Sequence, residues 1–509
     1  MEAVATRSAI VFVGFMGAGK SSAARAAAAE LGVVPLDSDR ELEQALGEPI
    51  EAFFDREGEA EFRRREEQLI CELLDRAEGG VVALGGGALG SDRVCDALRE
   101  HVVVLLEVSP DDAWRRASNK GRPNARDRNR FDALYEERRA RYEQMADAIV
   151  LASDRGVAAR ALPALHALRE APEGTRLVWA SAESGDYPVF LGEGLIASGF
   201  FPPLEGRRFA VTDANVAVLH RVAADATIAI APGESEKTLA RAEEVLRAMA
   251  AAGIAGDDSV AAVGGGVVGD LAGFCAAVYQ RGIRHVQVPT TLVAQVDSAY
   301  GGKTGVDLPE GKNYVGAYRQ PSAVLVDPGA LATLPAEEHA AGYAEVVKTA
   351  LIAGGELWSR VRSGQDPDTG TILGCLRTKL AVVAEDERDA GRRQVLNLGH
   401  TVGHAIEAAT GYSRFRHGEA VAIGLLAALR LSGREPLRRE VAALLSQHGL
   451  PLGAPGVDPD AVIELVGRDK KRRGGRVPFV LVESPGAVTP GHEVTDAELR
   501  AAVEEVCAA

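Results

Sequence analysis

The sequence predicts an α/β protein of more than one domain. Short apolar runs such as "AIVFVG", "VVALGGG" and "HVVVLLEV" alternate with amphipathic stretches, the pattern of a parallel sheet with crossover helices. The chain has 509 residues, beyond the ~300 at which a single core stops growing. After about Pro335 the period becomes helical in long runs, such as "AEEHAAGYAEVVKTALI" and "GEAVAIGLLAALRLSG".

Taken in order, "AIVFVG" reads as a buried strand and "GKSSAARAAAAEL" as the helix after it. "VVALGGG" and "HVVVLLEV" read as further buried strands and "LYEERRARYEQMAD" as a charged helix. The pattern decays after "AARALPALHALREAPEGTR", which places a linker near Ala171 to Thr175. A second α/β pattern starts at "RLVWAS" and continues through "RFAVTD", "ATIAIAPGE" and "SVAAVGGG". The apolar stretch from Val260 to Tyr279 holds glycines and Asp270 and reads as a loop and buried helix, not a membrane span. "GCLRTKLAVVAEDER" and "HTVGHAIEAA" extend the helical part.

A formal net charge of -16 argues against nucleic acid and anionic membrane as partners, so an anionic substrate needs local basic clusters. The five cysteines (Cys71, Cys95, Cys275, Cys375, Cys507) are scattered, with no C-x-x-C pair. That fits a reducing, cytoplasmic compartment and excludes a disulfide framework or cysteine-zinc site. The N-terminal apolar run is too short for a signal peptide.

"GFMGAGKS" matches G-x-x-x-x-G-K-[ST] through Gly14, Gly19, Lys20 and Ser21, between a strand and a helix. Such glycines let backbone N–H groups ring phosphates, the lysine reaches the β/γ-phosphates, and the serine can hold Mg2+. The plainer alternative is a Gly-rich turn with a surface lysine. "LDSDREL" puts Asp37 and Asp39 after a strand, where one can help position Mg2+ and the other accept a proton, or where either can cap a helix. "EFRRRE" offers Arg63, "LGGGA" offers Gly85 to Gly87, and "NKGRPNARDRNRF" is an arginine-rich loop suited to closing over phosphates or to being solvated.

Together these marks resemble shikimate kinase over residues 7 to 165, with "GFMGAGKS", "DSD", "EFR", "GGG", "GRP" and "RRARYEQMAD" carrying the likeness. The resemblance implies that Gly17, Ala18, Gly19, Lys20, Ser21 and Ser22 bind ATP, with Mg2+ on Ser21. It implies that Asp39 binds the shikimate hydroxyls and acts as base, that Arg63, Arg138 and the Gly86 backbone grip shikimate, and that Arg122 neutralises the transferring phosphoryl group. The lid departs from the family pattern at Asn124 and Ala125, where an apolar pair is usual.

In the second half, "GGGVVGDLAGF" follows the run "SVAAV"; its small residues suit close approach of a dinucleotide pyrophosphate or tight helix–strand packing. Lys303, Lys312 and Asn313, set among glycines, suggest a buried anion pocket. Glu345 and Lys348 lie one turn apart on a helix face, followed by Lys379, Arg393, Asn397, His400, His404 and His417. Glu345 with two histidines would suffice for catalytic zinc, although histidines on an Ala-rich helix are as readily packed and hydrogen-bonded. Residue spacing alone puts both His400 and His404 on the metal, and there is no H-E-x-x-H pattern.

This assembly closely resembles 3-dehydroquinate synthase over residues 175 to 509, through "GGGVVGDLAGF", "PTTLVAQVDSAYGGKTG", "GKNYVGA", "AEVVK", "LNLGHTVGHAIE", "HGEAVAIG" and "DKKRRGG". The family converts DAHP to 3-dehydroquinate and phosphate with NAD+ and a divalent metal, Zn2+ or Co2+. The resemblance makes Glu345, His400 and His417 the metal ligands, leaving His404 to face substrate. It sets Lys303, Asn313, Lys348, Lys379, Arg393, Asn397, His404 and Lys470 or Lys471 around the substrate. Asp213, Asn215, Glu234, Lys237, Gly266, Val267, Val268, Gly269, Asp270, Thr290, Thr291, Asp297, Lys303 and Lys312 match NAD-side positions. Arg281 matches an arginine that reaches the neighbouring subunit's substrate phosphate, so a homodimer is expected. "DSAYGG" and "AGRRQ" are small departures.

The expected architecture is therefore α/β: an N-terminal P-loop kinase domain with a parallel sheet (1–168), an α/β NAD-binding domain (169–335), and a mostly α-helical metal-binding domain (336–509). Rival readings are another sugar-phosphate cyclase or a glycerol-dehydrogenase-like enzyme fused to a different small-molecule kinase, or an N-terminal half that only senses nucleotide. The cationic residues disfavour the dehydrogenase, and intact Lys20, Ser21, Asp39 and the arginines disfavour the sensor.

Overall fold

The computed structural model describes residues 8–118, 127–151, 156–467 and 477–508. Arg122, Asn124, Ala125, Lys470 and Lys471 lie outside the described residues. The chain divides into two compact units, 1–180 with 188–190, and 181–187 with 191–509.

In the first unit β1 (Ile10–Val13) is buried along its whole length, as a strand covered by helices on both faces must be. α1 (Lys20–Leu31) starts on Gly19, whose φ of 93° is left-handed, so glycine is required there. β2 (Leu36–Asp37) leads into α2 (Ser38–Leu46), capped by the Asp37 side chain, which accepts from the Asp39 amide. α3 (Ile50–Asp75) is broken at Gly58; β3 (Val81–Ala83), α4 (Asp92–Leu98), β4 (Val102–Glu107), α5 (Pro110–Ala117), α6 (Arg128–Met145), β5 (Ala148–Leu151) and α7 (Val157–Leu168) follow. The strands run in parallel in the order β2-β3-β1-β4-β5, and β6 (Arg176–Ala182) pairs in parallel with β5. Lys20 and Asp39 thus both stand just beyond the C-terminal ends of parallel strands, β1 and β2, that flank β3, where α/β sheets bind ligands.

β7 (Gly185–Leu191) has residues assigned to both units, and the second unit continues with β8 (Arg208–Asp213), α8 (Val216–Leu219), β9 (Ala226–Ile230), α9 (Leu239–Ala251), β10 (Ser259–Gly264), α10 (Gly266–Val278) and β11 (Arg284–Pro289). A hairpin of β12 (Lys303–Leu308) and β13 (Gly311–Tyr318) precedes β14 (Ala323–Val326). Here β14-β11-β10-β8-β9 form a parallel array. The stretch read as loop and buried helix begins as a strand, β10, because its β-branched, two-sided burial suits a central position. The helical part comprises α11 (Ala336–Ala353), α12 (Gly355–Arg362), α13 (Thr369–Glu385), α14 (His400–Ala409), α15 (His417–Leu431), α16 (Glu435–Gln447), α17 (Pro459–Gly467) and α18 (Asp496–Ala508). It also contains an antiparallel hairpin, β15 (Phe479–Ser484) and β16 (Ala487–His492), which the helical period does not announce. No described helix is long and apolar enough to cross a membrane. All five cysteines are free and buried.

Glycines set the distance between α11, α14 and α15. A Cβ on Gly418 would come within 1.8 Å of the Ala341 carbonyl oxygen, and one on Gly424 within 1.9 Å of the Gly399 carbonyl oxygen. This backbone-to-backbone approach draws Glu345, His400 and His417 together from three helices. Gly424→Ala is therefore expected to cost about 3 kcal/mol or more in reversible unfolding, because neither backbone can yield locally. A variant with wild-type unfolding would show that the helices do not pack this closely.

Candidate active sites

In the first unit the loop between β1 and α1 wraps back on itself: the Lys20 ammonium donates to the carbonyls of Gly14 (2.9 Å) and Phe15 (3.3 Å). Gly14 and Gly17 have positive φ, and a Cβ on either would lie 2.6 Å from a carbonyl oxygen, of Leu106 and Ala113 respectively. Gly17, Ala18, Gly19, Ser21 and Ser22 complete this turn and the first turn of α1, with the helix N-terminus aimed at the loop.

Facing it, the Asp39 carboxylate lies against Gly85, where a Cβ would meet Oδ1 at 2.6 Å. The Gly85 amide donates to Ser38 Oγ at 2.8 Å. Arg63 pairs with Glu66 (2.5 Å), and Arg138 and Tyr142 both donate to the Gly86 carbonyl, at 2.6 and 2.5 Å. A cavity of about 640 Å³ is lined by Arg63, Glu66, Gly86, Gly87, Arg138 and Tyr142, among others. Burial pushes the Glu66 carboxyl up, with Arg63 opposing, and burial pushes the Tyr142 phenol up to about 12. Sequence reading named Arg63 and Arg138 but not Glu66 or Tyr142; the i,i+3 spacing of Arg63 and Glu66 was the available signal. The arrangement holds two guanidiniums and a carboxylate around a concave space, suited to a small hydroxylated acid.

In the second unit the centre is Glu345. It is fully buried on α11, and its Oε1 lies 3.5 Å from His400 Nε2 and 3.4 Å from His417 Nε2. Lys348, one turn on, closely approaches Oε2, yet neither oxygen has a partner of good hydrogen-bond geometry. His400 Nδ1 lies 3.1 Å from the Leu398 carbonyl, which fixes the tautomer that presents Nε2. His417 Nδ1 lies 3.3 Å from Glu407 Oε2. Burial would raise Glu345, but the Lys348 ammonium first, with the facing His400 and His417 imidazoles, holds it well below the usual carboxylate range. Burial likewise pushes His400 well below its ordinary value, so it is neutral at pH 7. A buried carboxylate without hydrogen bonds between two imidazole nitrogens is a donor set that fits a divalent metal. The ligand atoms of His400, His404 and His417 all lie within 4.8 Å of one another, and His404 is the exposed member of the three.

The cations gather as the sequence led one to expect, but each has a carboxylate or carbonyl. Asp297 accepts from Lys348 (3.4 Å) and Lys379 (3.0 Å), and Lys303 pairs with Asp389 (2.5 Å). Arg393 is buried between the carbonyls of Glu387 and Gly301, and Asn397 donates to the Gln394 carbonyl. Burial pulls Lys379 down to about 8, with Lys348 and Arg393 adding to it and Asp297 opposing. Asp297 is held at about 2 because Lys348 and Lys379 outweigh its burial. Lys303 and Asn313 are exposed and Lys312 partly so, because they ride on the β12–β13 hairpin; the enclosed pocket expected around these three is not seen.

Asp213 closes β8 and accepts from the amides of Asn215 and Val216, and α10 begins at Gly266 just after β10. Gly265 and Gly266 stand at that helix start, and Val267, Val268, Gly269 and Asp270 form its first turns. The same glycines also pack tightly, since a Cβ on Gly265 would lie 2.9 Å from Thr291 and one on Gly269 2.8 Å from Gln287. Lys237 is buried among Asp270 (3.2 Å), Glu234 (3.2 Å) and Asp307 (3.8 Å), whose charges outweigh burial and raise its pKa. Thr290 is buried at the end of β11, next to Thr291. Arg281 is exposed, and it and Gln280 both have positive φ, which kinks the chain after α10.

Family models agree with this division. Residues 16–168 match shikimate kinase, 227–341 the N-terminal and 342–472 the C-terminal part of 3-dehydroquinate synthase. The 3-dehydroquinate synthase of Halorhodospira halophila is 42% identical over 354 residues, covering 65% of this chain and 100% of that protein. That of Acidithiobacillus ferrooxidans is 43% identical over 339 residues, covering 62% and 93%. Among solved structures, 2-deoxy-scyllo-inosose synthase with carbaglucose-6-phosphate, NAD+ and Co2+ aligns with a TM-score of 0.57 at 26% identity, covering 65% and 100%. The 2-epi-5-epi-valiolone synthase ValA of Streptomyces hygroscopicus, with NAD+ and Zn2+ bound, aligns with a TM-score of 0.57 at 29% identity, covering 63% and 96%.

Proposed function

Because the chain belongs to the 3-dehydroquinate synthase family and carries a shikimate kinase domain ahead of it, we propose that each unit holds a complete and separate catalytic site. The two activities are phosphorylation of shikimate by ATP and conversion of DAHP to 3-dehydroquinate and phosphate, both in the shikimate pathway.

In the kinase unit Lys20 and the Gly17–Ser22 amides hold the nucleotide phosphates, and Ser21 holds Mg2+. Asp39 accepts the proton of the attacking hydroxyl. Arg63 and Arg138 clamp the shikimate carboxylate, with the Gly86 backbone completing the grip. The family resemblance gives Arg122, which lies outside the described residues, the role of neutralising the transferring phosphoryl group.

In the synthase unit Glu345, His400 and His417 are the metal ligands, and the residues from Asp213 to Lys312 named above hold NAD+. When bound, the metal would supply a Lewis acid to the substrate's oxygens and NAD+ a temporary hydride acceptor. Lys348, Lys379, Arg393, Asn397 and Lys303 bind the carboxylate, hydroxyls and phosphate, exchanging the carboxylates and carbonyls that occupy them in the free chain. Asn313 and a lysine of "DKK" (Lys470 or Lys471) join them. His404, exposed beside the ligands, holds or moves a proton at the leaving phosphate. The observation that carries this reading is Glu345, a buried carboxylate with two imidazole nitrogens on one oxygen.

Treatment with a chelator, followed by Mg2+ alone, should leave shikimate phosphorylation intact and phosphate release from DAHP below a tenth of its starting rate. Zn2+ or Co2+ should restore the latter; undiminished release by a verified metal-free protein would rule the reading out.

The synthase unit also forms a homodimer in which Arg281 reaches the neighbouring subunit's substrate phosphate, a reading supported by the exposure of Arg281 and its match to the family arginine. Sedimentation equilibrium that gave a fully active monomer would remove that role. The free, buried cysteines support a cytoplasmic setting, which fluorescent-fusion imaging would test.

A further inference from the structure

Glu407 lies buried on α14 and serves two cationic partners at once. Its Oε2 is 3.3 Å from His417 Nδ1, and its Oε1 accepts from the Lys312 ammonium at 2.9 Å. His417 turns its other nitrogen, Nε2, to Glu345 at 3.4 Å. Lys312 in turn lies 3.4 Å from Glu234. An unbroken polar line thus runs from Glu345 through His417, Glu407 and Lys312 to Glu234, across α11, α15, α14 and the β12–β13 hairpin.

We propose that Glu407 is a positioning residue that couples the metal ligand His417 to the dinucleotide-side Lys312, so that metal and NAD+ each tighten the binding of the other. The inference rests on the roles given above to His417 and Lys312. A single carboxylate has a fixed charge to divide between its partners. An imidazole carrying a metal on Nε2 is a stronger donor from Nδ1 and draws more of that charge. Lys312 is then held less firmly and is freer to meet an anionic pyrophosphate. In the reverse direction, a pyrophosphate that takes Lys312 leaves Glu407 wholly to His417, which becomes a better ligand. Linkage requires the two effects to be equal in factor. The shared carboxylate itself is buried, which limits screening of the exchange at that point.

The test is calorimetric titration of the full-length protein with Zn2+, with and without NAD+, and with NAD+, with and without Zn2+. In wild type each should tighten the other by the same factor, about 5- to 10-fold. Glu407→Gln keeps the side-chain volume and loses the charge. It should weaken Zn2+ by about 10- to 100-fold and reduce the coupling factor to about 1. Lys312→Met should also abolish coupling, but should leave Zn2+ affinity without NAD+ equal to or above wild type. Opposite effects on Zn2+ from the two ends of one ion pair are not produced by a merely structural contact. If Glu407→Gln does not fold, Lys312→Met carries the test by itself. Coupling that persists in a folded variant, or is missing from a wild type that binds both ligands singly, overturns the inference alone. A wild type that binds neither overturns the functional reading and this inference with it.

Discussion

Replacing Lys20 with Met is expected to lower phosphorylation of shikimate by about 10³-fold, about 4 kcal/mol of transition-state stabilisation. The ammonium is tethered to the Gly14 and Phe15 carbonyls in the free chain, so it is held in place before the nucleotide arrives. Methionine keeps most of the length and removes the charge that faces the phosphates. Release of phosphate from DAHP should stay within about twofold of wild type, because no residue assigned to that reaction lies in the first unit. The two rates, measured on one preparation, decide the point. Loss of both activities in a folded variant would mean that the sites depend on each other.

His400→Ala and His417→Ala are each expected to lose bound zinc and reduce synthase activity to background, whereas His404→Ala should lose about 10²- to 10⁴-fold in rate yet keep near-stoichiometric zinc. The reason is geometric. Nε2 of His400 and of His417 address the same buried Glu345 oxygen, and each imidazole is oriented from behind, by the Leu398 carbonyl and by Glu407. His404 is near enough to join them but stands exposed on the open side. A fourth protein ligand would take the position that two substrate hydroxyls need. Elemental analysis of the three folded variants separates the possibilities. A metal-free His404→Ala protein would restore the simple spacing argument, in which residues four apart on one helix bind together.

Those histidines also show where sequence stops being informative. The phosphate loop was readable because its chemistry lies in contiguous residues, Gly14 to Ser21, between a strand and a helix. The cluster of Glu345, His400 and His417 was not: its parts come from α11, α14 and α15, and spacing favoured His404 as the second histidine where the family resemblance chose His417. What brings them together is close packing at Gly418 and Gly424, which as isolated glycines in an Ala-rich run carry no signal. Tyr142 and Glu407 are hidden for the same reason, since Gly86 and Lys312, on which they act, are tens of residues away, whereas Glu66 sits only three residues from Arg63 and was open to a local reading. The cations were legible but their state was not. Composition cannot show that Lys348 and Lys379 share Asp297, or that Lys303 sits on an exposed hairpin. The β15–β16 hairpin was hidden by the helical period of its flanks, because a two-stranded insertion is too short to change a window average.

The most direct measurement of the central claim, that one chain runs both reactions, is a phosphorus NMR time course on a single purified sample. With DAHP, NAD+ and Zn2+, inorganic phosphate should appear as 3-dehydroquinate forms. After addition of shikimate and Mg·ATP, the resonances of shikimate 3-phosphate and ADP should grow at a rate unaffected by the first reaction. A sample of intact, folded chain that produced only one of the two sets would contradict the claim.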